Sequence, residues 1–129
     1  MKWVNGMRYC ELNEELMLRF PEFQSFYKEH FNFWEAPPPQ HCFYGAILNK
    51  FVVNLLIENQ NVVMISKVFD FYEELAQSND EEVTNLLQVT LLEYLWDDKI
   101  VFERACQYMR PKTRQINNLI GDYLKVPNV

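Results

Sequence analysis

Apolar residues recur at intervals of three and four along nearly the whole chain, the period of helices with one buried side. "ELNEELMLRF" reads as a first helix, with Asn13 as its cap and Pro21 as the break that ends it. "PEFQSFYKEHFNFW" continues as a second helix with Pro21 at its first position, where a missing N–H costs nothing. Its aromatics, Phe23, Phe26, Tyr27, Phe31 and Trp34, keep helical spacing and predict a core-facing row. "EAPPPQHCFYG" alone reads as a true loop. Its three successive prolines favour a stiff extended connection, placed at residues 35–43.

From Tyr44 onward the pattern predicts almost continuous helix. "GAILNKFVVNLLIEN" puts Ile47, Leu48, Phe51, Val52 and Leu55 on one side. "NVVMISKVFDFYEELAQ" puts Val62, Ile65, Phe69, Tyr72 and Ala76 in one row, with Met64, Val68, Phe71 and Leu75 in the next. Ser66, Lys67, Asp70, Glu73, Glu74 and Gln77 are left for the outer face. "SNDEEV" is a turn and a helix start, capped by Asn79 or Asp80, and the helix runs on through "VTNLLQVTLLEYLW". "KIVFERACQYM" and "RPKTRQINNLIGDYLKV" follow, the second opening on a proline. The expectation is an all-α chain of six or seven helices in a single domain over residues 1–129. Short turns make it an irregular bundle or a stack of helical hairpins.

Composition agrees and narrows the function. The chain is 49% apolar and 16% aromatic, which is globular, and three glycines are too few for an all-β protein or a phosphate-binding loop. Cys10, Cys42 and Cys106 form no C-x-x-C pair and suggest reduced thiols. "MKWVNGMRYCELNEE" has no apolar signal region, and "FVVNLLI" is too short for a bilayer, so a soluble cytoplasmic protein without membrane contact is expected. A net charge of −6 argues against direct nucleic-acid binding and leaves room for a basic partner.

Charge is also unevenly placed. Residues 69–98 hold nine carboxylates and not one lysine, arginine or histidine. Asp80, Glu81 and Glu82 open a helix, where the macrodipole favours acids by roughly 0.3–1 kcal/mol each. Glu73, Glu74, Asp97 and Asp98 sit at or past helix ends, where it disfavours them, and Glu93 repels Asp97 four residues on. Repeated breach of a local rule points to function, against the plainer reading of a solvated acidic face. The candidate partner-binding residues are therefore Asp70, Glu73, Glu74, Glu93, Asp97 and Asp98, with Tyr94 and Trp96 as anchors, Trp96 reading alternatively as the last core residue of its helix.

Chemistry finds less support. No EF-hand loop or H-E-x-x-H is present, and adjacent His41 and Cys42 lack the spacing of a metal site or a nucleophile–base pair. Carboxylates on an exposed helical face lack the enclosure that would separate an acid from a base. No catalytic residue, metal or cofactor is expected, and no enzymatic activity. "MRPKTRQ" is the one basic cluster; it reads as pairing with the acidic face or with the carbonyls that end the preceding helix, in preference to holding an anion.

"NVVMISKVFDFYEELAQSNDEEVTNLLQVTLLEYL" followed by "MRPKTRQ", residues 61–114, resembles small helical immunity proteins of bacterial polymorphic-toxin and contact-dependent inhibition systems. That resemblance implies a cytoplasmic protein that binds and neutralises a cognate toxin. Many such toxins are nucleases, whose phosphate-holding clefts are basic and would complement a carboxylate-rich face. The alternative is a helical-repeat adaptor that recruits another cellular protein or a peptide.

Overall fold

The computed structural model describes residues 6–31 and 39–125, the side chains of 29–31 and 125 excepted. A single 3-10 turn, Tyr9–Glu11, leads into α1, Leu12–Arg19, and α2 follows at Phe23–Phe31. Helix α3 covers residues 40–58, with a π-helical segment at Gly45–Asn49, and α4 is Val62–Ala76. Helix α5 covers residues 81–95, with a π-helical segment at Leu86–Leu92. Helix α6 is Lys99–Tyr108 and α7 is Pro111–Lys125. The described residues are thus all-α, with seven helices and no strand. None of these helices is long and apolar enough to cross a membrane.

Helix α4 organises the rest. It buries Ile65, Val68, Phe69, Phe71, Tyr72 and Leu75, more than one helical stripe can offer, because α3, α5, α6 and α7 all pack against it. A central helix touched on several sides makes this an irregular bundle, not a stack of hairpins. The Tyr44 hydroxyl, buried among these rings, donates to the Leu12 carbonyl across 2.5 Å, tying α3 to α1. Burial pushes the Tyr44 and Tyr72 phenols well above the ordinary range, so both stay neutral.

Several helix ends follow the sequence and several do not. Asp80 caps α5, accepting from the Glu82 amide, and Asn61 caps α4 through the Met64 amide. Asn59 closes α3 in the left-handed region at φ 51°, which asparagine tolerates. Asn13, expected as the first cap, lies inside α1, because the 3-10 turn supplies the entry and Glu11 accepts from the Arg8 amide. Pro21 lies in the turn between Phe20 and Phe23, so α2 starts two residues later than expected. The loop predicted at 35–43 gives way to helix at Gln40, where Pro39 is the last extended residue. Its prolines at 37 and 38, and Trp34, lie outside the described residues.

The two π-helical segments face one another. Asn49 donates its side-chain amide to the Thr90 carbonyl at 3.0 Å, and His41 Nδ1 lies 2.5 Å from Thr90 Oγ1. A wider turn frees backbone carbonyls, and Asn49 satisfies one from the neighbouring helix. The same widening keeps Leu86 and Leu87 in register with Leu91 and Leu92, all fully buried.

Candidate partner-binding surface

Glu73 breaks a local rule and is compensated by a distant element. Pro111 opens α7 and has no N–H, leaving the amides of Lys112 and Thr113 as the first orphan donors. Glu73 Oε2 accepts from the Lys112 amide at 3.1 Å, and Oε1 from the Thr113 amide and hydroxyl, each at 3.0 Å. Gln77 donates to the same carboxylate at 3.2 Å. Glu73 is 8% exposed and caps α7 from another helix, near the positive end of its dipole. Burial alone would raise its pKa, but the Thr113 and Lys112 amides, with the Thr113 hydroxyl and Gln77, outweigh this and hold it below the usual carboxylate value.

The other acids of α4 also have partners. Glu74 takes both terminal nitrogens of Arg19, at 2.6 and 2.7 Å, in a two-pronged bond. Asp70 meets Arg110 at 3.2 Å, with both side chains more than half exposed. That pair comes from the basic cluster "MRPKTRQ", as its sequence suggested. Asp80 accepts from the Tyr9 amide at 2.8 Å besides capping α5, and Asp98 caps α6 through the Val101 amide. Much of the charge that looked uncompensated therefore faces helix ends and cations of this same chain.

What remains lies at the end of α5, beside α7. Thr113, which meets Glu73, and Gly121, which meets Trp96, are eight residues apart on α7, or about 12 Å at the rise of a helix. Glu93, Tyr94, Trp96, Asp97 and Asp98 thus form a group apart from Asp70, Glu73 and Glu74. Trp96 is part of the fold: its indole N–H donates to Asn117 at 3.0 Å and its ring lies 4.2 Å from that of Phe102. Glu93 accepts from the Tyr123 hydroxyl at 3.4 Å and has no cation in ion-pair reach among the described residues. The same holds for Asp97, one turn further on, which is exposed.

The helices that carry Glu93 and Tyr123 also expose aromatic and apolar side chains. Tyr94 is 44% exposed and Tyr123 56%, with Leu119 one turn before Tyr123 and Val89 one turn before Glu93, both solvent-facing. Leu119 and Tyr123 escaped the sequence reading. Their four-residue spacing was visible, but Ile116 and Ile120 beside them form an equally good stripe, and those two turn inward.

Other chemistry-bearing residues stay dispersed. Among the described residues, no three of His, Cys, Asp and Glu gather closely enough to hold a metal ion. His41 faces Thr90 and the ring of Tyr9, while Cys10 and Cys42 are exposed free thiols and Cys106 is half-buried. Burial raises the Cys106 pKa, against the nearby Arg114, so that thiol is a weak nucleophile.

The chain belongs to a family defined by a domain of unknown function, DUF7674, whose model matches residues 13–121. No curated protein and no solved structure matches it.

Proposed function

We propose that this DUF7674 chain is a binding protein that neutralises a cognate toxin domain in the cytoplasm, a nuclease with a basic cleft, and carries no chemistry of its own. One observation carries the reading: among the described residues Glu93 and Asp97 have no cation in ion-pair reach, on helices whose Tyr94, Tyr123, Leu119 and Val89 face solvent. Free carboxylates steer a basic partner and penalise wrong ones, while aromatics supply the buried anchors that charge alone does not. The resemblance of residues 61–114 to immunity proteins supports the same reading from the sequence side. The surface is smaller than the sequence suggested. Glu73 and Trp96 are committed to the interior, Glu74 to Arg19, and Asp98 to the start of α6, so the contact centres on Glu93, Tyr94, Asp97 and Tyr123.

The test compares two tagged chains, wild type and the triple variant Glu93→Arg, Asp97→Arg, Tyr123→Ala, expressed in cells carrying the native locus. Wild type should retain a single basic partner at low salt and release it at high salt. The variant should keep its helical circular-dichroism spectrum and bind at least about 100-fold more weakly, the effect of losing two or three interface anchors. A partner held equally by both chains removes this surface from the account.

A further inference from the structure

The end of α1 and the first half of α4 enclose an open groove of about 580 Å³, which shares no residue with the group around Glu93, Tyr94, Asp97 and Tyr123. Phe20 and Phe71 form its floor, and Val62 and Val63 its rim. Val63 is 82% exposed, an apolar, β-branched residue in the first turn of a helix, where neither packing nor helix propensity accounts for it. Three cations stand in or beside this groove. Arg19 is held by Glu74, with Glu15 3.5 Å away, and Arg110 is paired with Asp70. Lys67 is different. Its ammonium lies 4.7 Å from the Phe20 ring centre and pairs with no carboxylate among the described residues, although Asp70 is one turn away.

From this juxtaposition we propose that the groove docks a short acidic amphipathic peptide of a partner protein, an aliphatic side chain settling on Phe20 and Phe71 beside Val63 and a carboxylate meeting Lys67. Charge selects the occupant. A purely apolar segment would dehydrate the Lys67 ammonium without replacing its water, and a basic one would repel it. A carboxylate satisfies it, and Ser66 on the groove wall offers a hydroxyl alongside. The volume falls within the ordinary range for a bound ligand, roughly 300–1,000 Å³. Asp70 and Glu74 also line the groove, but each already holds a guanidinium, so among the described residues Lys67 is the cation there left without a carboxylate.

The experiment titrates the isotopically labelled full chain with acetyl-Asp-Leu-Glu-Leu-Phe-amide and with its Asn/Gln counterpart, following backbone amide resonances. The acidic peptide should move the amides of Val63, Ser66, Lys67 and Phe71 and bind about fivefold more tightly than the neutral one, the scale of one exposed ion pair. Lys67→Gln should abolish that preference, Lys67→Glu should reverse it, and Val63→Asp should weaken both peptides. These residues are at the surface, and unchanged circular dichroism checks that each variant folds. Equal binding of the two peptides, shifts only on α5 and α7, or no shift at all overturns the proposal. Concentration-dependent shifts of the same amides without peptide would assign the groove to a second copy and overturn it too.

Discussion

Replacing Glu73 with alanine is expected to lower the stability of the fold by about 2–3 kcal/mol, measured as the shift of a urea unfolding curve at pH 7. The substitution strips two amides and a hydroxyl of their acceptor at the start of α7, and Pro111 and Arg110 can replace none of it. Asp70→Asn, three residues earlier on the same helix, should cost under about 0.5 kcal/mol, because its pair with Arg110 is solvated on both sides. The contrast separates a buried cap from a surface charge of the same type. It also has a pH signature. The folded pKa of Glu73 is depressed, so its contribution is complete above the unfolded value of about 4.3 and is lost as pH falls through the folded value. Wild type and Glu73→Gln should therefore differ at pH 7 and converge in acid; a gap that persists unchanged in acid contradicts the assignment.

Gly121→Ala is expected to destabilise by about 1–2 kcal/mol, although helix propensity alone predicts a gain of about 1 kcal/mol. A Cβ at position 121 would lie 2.9 Å from Cη2 of Trp96. The indole cannot easily retreat, because Asn117 holds its N–H and the Phe102 ring packs against it. Thermal unfolding of the variant decides the sign. A raised midpoint would mean that Trp96 is free to move, restoring it as a partner anchor; a lowered one leaves it as the wall between α5, α6 and α7.

The helices were largely legible because their information is local. Apolar spacing gave α4 its inward residues, and Asp80 announced a helix start by side-chain chemistry alone. What could not be read was set by partners remote in sequence. Glu73 looked like a charge in the wrong place because the helix it caps lies about forty residues further on. The π-helical turns depend on Asn49 and Thr90 meeting across two helices, which no pattern within either one encodes. Val62 belonged to an apolar row yet faces solvent at the mouth of a groove, since a period gives a face but not where the packing ends. The candidate surface was half legible: Glu93, Tyr94 and Asp97 were named, but Tyr123 reaches Glu93 only through the packing of α7 on α5.

Neutralisation of a toxin through that surface should be visible in a growth competition. Cells depleted of this protein are mixed with parental cells carrying the native locus, and the depleted strain is complemented with wild type, with the Glu93→Arg, Asp97→Arg, Tyr123→Ala variant, or with Lys67→Glu. The depleted cells should lose, wild type and Lys67→Glu should protect them, and the triple variant should not. Depleted cells that compete equally, or full protection by the triple variant, would contradict neutralisation through this surface.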